Sequence, residues 1–269
     1  MILNVLSIAG SDPSGGAGIQ ADLKAFAANG VYGMAALTAL TAQNTQGVSG
    51  IELVSPAFVT AQIAAVFADV RVDAVKIGMI ANAEIARAVA DALADAGDIP
   101  IVLDPVMIAK GGAPLLRPDA IDVVRAALLP LASVITPNLP EAAHLLDMPV
   151  AVTRADMAGQ AEALAALGPR AVLVKGGHLD GPDSPDVLWA AGQAHWFEGA
   201  RTAGKNTHGT GCTLSSALAA HLAKGAPVAQ AAQAAKTYVA GAIAHGDALS
   251  VGAGHGPVHH FHSLWKDAT

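Results

Sequence analysis

The turn Asn206-Thr207-His208-Gly209-Thr210-Gly211-Cys212-Thr213 leads into a segment where Leu214, Leu218 and Leu222 recur every four residues. That spacing predicts a helix opening at the turn. Gly209 and Gly211, with Thr210 between them, let the backbone turn tightly and expose its N–H groups. The helix N-terminus adds a partial positive charge, and the combination suits a phosphoryl group in transfer. Cys212 stands at the mouth of this anion hole. A helix N-terminus lowers a thiol pKa, so Cys212 is expected to accept a proton from an attacking hydroxyl. The plainer reading is a glycine-rich helix start with one small buried cysteine, because glycine is common at tight turns.

Other polar residues carry two readings each. In Thr136-Pro137-Asn138-Leu139-Pro140-Glu141, Asn138 and Glu141 have the spacing of a capping box, or they hold magnesium-bound water near nucleotide phosphates. Asp104-Pro105 ends a short apolar run and serves either as a turn or as a carboxylate for magnesium. Lys175-Gly176-Gly177-His178 is either a solvated turn or a phosphate contact. Gln43-Asn44-Thr45-Gln46-Gly47 is a polar loop, or its glutamine amide reads the edge of an aminopyrimidine. The loop from Gly10 to Asp22 lacks the third glycine of a dinucleotide fingerprint. Gly199, Gly204 and Lys205 have phosphate-loop spacing, but Asn206 stands where Ser or Thr should bind the metal. His259, His260 and His262 lack helical spacing and acidic partners, so a surface or packing role is expected of them and not a metal site.

These residues need elements to position them. Apolar runs at 2–9, 34–41, 72–77, 101–103, 133–135 and 171–174 read as strands. Helices are expected after Gly18, at 57–68, 83–94 and 156–167, from Leu139, through Leu214, and at 228–243. Residues 186–197 read as a hairpin turning at Ala191-Gly192. This β-α-β alternation implies α/β architecture with a mostly parallel sheet covered on both faces. Ligands in such sheets bind beyond the carboxyl ends of the strands, where Asp104, Asn138 and Lys175 fall. No linker or repeat divides residues 1–269, so one domain is expected.

Composition agrees. Of 269 residues, 53% are hydrophobic, 14% charged and 4% aromatic, which suits an aliphatic core of buried parallel strands. A net charge of −7 without basic runs argues against nucleic-acid binding. No apolar run approaches a membrane span. The N-terminus reads as a first strand, not a signal peptide, and the single cysteine excludes an internal disulfide; a cytoplasmic location is expected.

Read in order, the segments Gly10 to Asp22, Thr41-Ala42-Gln43-Asn44-Thr45, Lys76-Ile77-Gly78-Met79, Leu103-Asp104-Pro105-Val106-Met107, Thr136 to Glu141, Lys175 to His178, Asn206 to Thr213 and Gly254 to His262 closely resemble the hydroxymethylpyrimidine/phosphomethylpyrimidine kinases of thiamine biosynthesis. The likeness spans almost the whole chain. It implies a ribokinase-like three-layer α/β/α fold. It also implies ATP-dependent phosphorylation of 4-amino-5-hydroxymethyl-2-methylpyrimidine and then of its monophosphate, with Mg2+, in a homodimer. By position, Gln43 would read the pyrimidine edge, with Gly10, Asp22 and Val106 around the ring. Lys175, Asn138, Glu141 and Thr207 would serve ATP, Asp104 and Glu141 the metal, and Gly209, Thr210, Gly211 and Cys212 the transfer. The wider sugar-kinase superfamily usually carries Asp as base where this chain has Cys212, and the hydroxymethylpyrimidine branch carries Cys. The nearest rival is a pyridoxal or dual-specificity kinase. A non-catalytic ligand-binding paralogue is a further alternative, opposed by the intact Asp104, Glu141 and Cys212. Residues 43–50 and 108–114 are candidates for a lid.

Overall fold

The computed structural model describes residues 1–108, 115–202 and 204–265. Most of the second expected lid, 109–114, lies outside these residues. Along the described chain run β1 (Asn4–Ala9), α1 (Gly18–Ala28), β2 (Tyr32–Leu37), β3 (Ala39–Asn44), β4 (Gly47–Leu53), α2 (Pro56–Asp69), β5 (Ala74–Ile77), α3 (Ala83–Leu93) and β6 (Ile101–Leu103). Then follow α4 (Pro118–Val123), β7 (Val134–Ile135), α5 (Leu139–Leu146), α6 (Arg154–Ala165), β8 (Ala171–Lys175), β9 (Asp186–Ala190), β10 (Gln193–Phe197), α7 (Thr210–Ala223) and α8 (Val228–Ala244).

Among the described residues, eight strands form one sheet in the order β10-β9-β8-β7-β6-β5-β1-β2. The pairings from β2 through β8 are parallel. The hairpin β9–β10 closes one edge antiparallel. Alternate residues along each strand enter different cores, as the two-residue period requires. Leu6, Val75, Leu103, Ile135 and Val172 pack with α2, α3, α4, α5 and α6. Val5, Ala74, Val102, Val134 and Leu173 pack with Phe26 of α1 and with α7 and α8. This is the expected three-layer α/β/α arrangement, and it holds the carboxyl ends of β1, β5, β6, β7 and β8 in one row.

Two expectations about elements need correction. The predicted strand at 34–41 is two strands. Thr38 is buried; its N–H donates to Ala9 O (3.0 Å) and its hydroxyl to Met79 O (2.6 Å), which turns the chain out of the sheet. The polar stretch Gln43–Gly47 is not a free loop. It is the tip of the β3–β4 hairpin, which pairs apart from the main sheet. A register shift between Ala42 and Gln43 interrupts that pairing, and such bulges re-aim side chains. Here Gln43 comes to line a cavity above the carboxyl ends of the strands. The turns from Val124 to Leu131 after α4 also escaped the sequence reading.

Candidate active site

A cavity of about 570 Å³ opens above the carboxyl ends of β1, β5 and β6. It is lined by Gly10, Gln43, Met79, Val106 and Cys212, among others. A second cavity of about 420 Å³ lies on the far side of the glycine turn, between that turn, β8–β9 and α8. Its apolar wall comes from Leu214, Val239 and Ile243. Asn138, Lys175, His178, Thr207, Thr210 and Gly211 line both. The two spaces therefore meet at Lys175 and the start of α7.

The turn itself is held by close backbone packing. Gly209 has φ +76°, and a Cβ there would lie 1.7 Å from Gly16 O. A Cβ on Gly16 would lie 2.3 Å from the His208 ring. The glycine loop after β1 and the glycine turn before α7 thus interlock, and side chains on either would part them. The first helical bond of α7 is Thr213 N–H to Gly209 O (2.9 Å). The N–H groups of Gly211 and Cys212 precede it, as an anion hole at a helix start requires. Thr213 Oγ1 also donates to Gly209 O (2.8 Å) and lies 3.0 Å from His260 Nε2. Burial, with Lys24 nearby, lowers His260 to about 3, so it is neutral and braces the turn. Among the described residues no cluster of three or more His, Cys, Asp or Glu is placed to hold a metal.

Asp104 is 1% exposed. Its Oδ1 accepts from Lys175 Nζ (2.9 Å) and Thr136 Oγ1 (3.0 Å). Burial would raise its pKa, but Lys175 and Lys76 hold it low, so it stays a carboxylate. Lys175 also lies 3.9 Å from Glu141 Oε2. A Cβ on Gly211 would be 3.3 Å from Lys175 Nζ and 3.5 Å from Asp104 Oδ2. The cation, the carboxylate and the anion hole are therefore neighbours.

Asn138 and Glu141 form a full capping box. Asn138 Oδ1 accepts from Glu141 N (2.9 Å), and Glu141 Oε2 accepts from Asn138 N (2.8 Å). Both residues still line the first cavity, so the capping and ligand-facing readings coexist. Burial pushes Glu141 up to about 7, with Asp104 adding to the rise and Lys175 opposing it.

Two expectations about the site change. Asp22 does not touch the first cavity. It is fully buried below it, where its carboxylate binds Lys76 Nζ (2.8 and 2.9 Å), Ser7 Oγ (2.6 Å) and Ser216 Oγ (2.7 Å). Its neighbour in the cavity floor is Lys76, which the sequence reading passed over. The Cys212 thiol is not lowered by the helix start. Desolvation by the surrounding protein pushes it up to about 11, helped by Asp22 and Asp104 and opposed chiefly by Lys76. Gly10, Val106, Gln43 and Thr207 all line the first cavity. The sequence reading also missed Asp12 and His208, whose side chains meet at 2.8 Å although 196 residues separate them.

The phosphomethylpyrimidine kinase family model matches residues 12–259. The chain belongs to that family. The family's hydroxymethylpyrimidine/phosphomethylpyrimidine kinase from Escherichia coli is 53% identical over 263 residues, 98% of this chain and 99% of the relative. Among solved structures, a phosphomethylpyrimidine kinase from Clostridium difficile superposes with a TM-score of 0.78 at 43% identity, covering 88% of this chain and 97% of that one. The ADP complex of Bacillus subtilis pyridoxal kinase reaches a TM-score of 0.89 at 38% identity, covering 97% of this chain and 98% of that one. The family therefore shares its architecture with pyridoxal kinases, and the matched residues 12–259 include the lining of both cavities except Ala9, Gly10 and Ser11.

Proposed function

We propose that the enzyme transfers the γ-phosphoryl group of ATP to the hydroxymethyl group of 4-amino-5-hydroxymethyl-2-methylpyrimidine, and then a second phosphoryl group to the monophosphate. One observation carries this reading: two cavities meet at a single cationic, N–H-rich junction, with Cys212 lining the first cavity only. A nucleotide fits the second cavity, its base against Leu214, Val239 and Ile243 and its phosphates toward Lys175, Thr207 and Asn138. The acceptor ring fits the first, between Gly10, Gln43 and Val106. Phosphoryl transfer depends mainly on positioning and charge neutralisation. Lys175 and the Gly209–Cys212 turn neutralise the transferring group, and Cys212 takes the hydroxyl proton. Lys76 in the floor stabilises the Cys212 thiolate before it accepts that proton, after which the sulfur is neutral.

Asp104 and Glu141 supply hard oxygen donors beside the phosphate path, which fits a Mg2+ that keeps waters and shares phosphate ligands. Bound there, the ion would neutralise charge on the β- and γ-phosphates. The whole of residues 1–269 is read as one kinase unit. Exposed Leu40 and Ile51 on the β3–β4 hairpin and Phe58 on α2 support a homodimer. The lone cysteine supports a cytoplasmic location; among the described residues, no helix is long and apolar enough to cross a membrane.

The likeness to pyridoxal kinases supports a second reading, in which pyridoxal enters the same cavity. Incubation with γ-labelled ATP and each acceptor tests both. Label in the pyrimidine phosphates supports the main reading, and label in pyridoxal phosphate alone supports the second.

A further inference from the structure

The ammonium of Lys175 stands where the two cavities meet, and its direction depends on the backbone that carries it. Both peptides flanking the Lys175 Cα are tied. Its own N–H donates to Pro137 O (2.9 Å), and the next N–H, that of Gly176, donates to Asp186 Oδ1 (2.9 Å). Planar peptides leave only two soft rotations at a Cα, and these bonds restrain one each. Lys175 rests at φ −85°, ψ 117°, and its Nζ reaches Asp104 Oδ1 at 2.9 Å. The close approach requires glycine beside it, since a Cβ on Gly176 would lie 1.8 Å from Pro185 O.

Asp186 opens β9 directly across from Lys175 and is buried. Its second oxygen, Oδ2, accepts from Lys236 Nζ (2.7 Å), which also donates to Ser184 O (2.8 Å). Lys236, Val239 and Ile243 follow one another at helical spacing on α8, and all three line the second cavity. One carboxylate therefore joins the helix that walls this cavity to the peptide that aims the cation. Further along the loop, Arg201 provides separate support. Its Nη1 donates to Gly177 O (2.8 Å), its Nε to Gly181 O (3.0 Å) and its Nη2 to Leu179 O. A change at Asp186 thus acts on the step from Lys175 to Gly176 and leaves the rest of the loop held.

We propose that Asp186 is a positioning residue for Lys175: by holding the Gly176 N–H it fixes the backbone that aims the ammonium at the transferring phosphates. The proposal rests on the reading of the second cavity as the nucleotide site. Both carboxylate oxygens already accept from protein donors, so Asp186 acts through the lysine and not as a ligand. The consequence is a loss graded by phosphate. A displaced Lys175 weakens contacts with the terminal phosphates of ATP and spares AMP, which ends at its α-phosphate.

The test uses the full-length protein with Lys236→Met as background, so that no change at Asp186 leaves a buried cation unpaired. There, Asp186→Asn keeps an acceptor for the Gly176 N–H, and Asp186→Leu removes it. Equilibrium binding of ATP and of AMP is measured without acceptor, and kcat/KM for ATP with the pyrimidine. The Leu variant should bind ATP about tenfold or more weakly than the Asn variant, the scale of one buried N–H left unpaired. Its kcat/KM for ATP should fall by at least the same factor, while the two AMP affinities agree within about twofold. Adding Lys175→Met to both should bring their ATP affinities within about twofold, because the positioned group is gone. Equal losses for ATP and AMP, or a gap of about tenfold that survives Lys175→Met, would overturn the proposal, since either marks a damaged wall and not a misaimed lysine. Equal ATP binding and turnover by the Asn and Leu variants would overturn it as well. A wild type that binds ATP no more tightly than AMP would overturn the placing of the phosphates at Lys175, and with it the reading on which the proposal rests.

Discussion

Replacing Gly209 by alanine should disable transfer far more than it destabilises the fold, and Gly225 provides the control. Both glycines have positive φ, +76° and +79°. An L-residue in that conformation costs roughly 1–2 kcal/mol. Around Gly225 a Cβ meets nothing within 4 Å, so Gly225→Ala should cost only that strain and leave turnover unchanged. Around Gly209 the Cβ would sit 1.7 Å from Gly16 O and 2.8 Å from Gly16 C. Both contacts are to backbone, so no rotamer change relieves them. The gap must open from 1.7 Å to at least 3.0 Å, and the anion hole moves with it. Misplacing reacting groups by about 1 Å costs on the order of 10²-fold in rate. Gly209→Ala should therefore lower kcat by at least about 10²-fold. Steady-state kinetics and thermal melts of both variants give the comparison. A Gly209→Ala enzyme within threefold of wild-type kcat would refute the claim that this interlock sets the geometry of transfer.

Three further outcomes follow from the same residues. Cys212→Ala should lower kcat by about 10²–10⁴-fold. Because the thiol sits up near 11, the thiolate is scarce at neutral pH and grows as pH rises. Wild-type kcat/KM should thus climb with pH between 6 and 9, and a flat profile would remove Cys212 as the base. Asp22→Ala should leave Lys76 buried without its partner and cost about 3–5 kcal/mol, read as a lower Tm, because breaking a buried pair is expensive. An unchanged Tm with a raised KM for the pyrimidine would instead place Asp22 at the ring. Glu141 sits at about 7, so below that pH a cation must displace its proton. Apparent Mg2+ affinity should therefore weaken from pH 8 to pH 6; titrations giving equal affinity at both would argue against Glu141 as a metal residue.

The fold was largely legible because parallel strands and amphipathic helices leave strong local periodicity, and the motif residues fell at strand ends. The errors came where long-range contacts decide. Thr38 looks like strand until its hydroxyl finds Met79, and Gln43 looks like loop until the β3–β4 pairing bulges beneath it. Asp22 is expected at the ring and is found buried below the cavity, because sequence position cannot separate a cavity wall from the layer below it. Lys76 and Ser216, which hold it, lie 54 and 194 residues away. The net direction at the Cys212 thiol is not legible in sequence, because a helix start is visible there and desolvation is not. Asp12 and His208 lie within two recognised motifs, but their meeting depends on the interlock of two glycine turns. The sequence shows only that one glycine loop carries an Asp and the other a His.

The most direct measurement is the time course of products from 4-amino-5-hydroxymethyl-2-methylpyrimidine, ATP and Mg2+, resolving monophosphate from diphosphate, with pyridoxal in a parallel reaction. Monophosphate should appear first, then diphosphate, with pyridoxal used more slowly. Accumulation of pyridoxal phosphate without either pyrimidine product would contradict it.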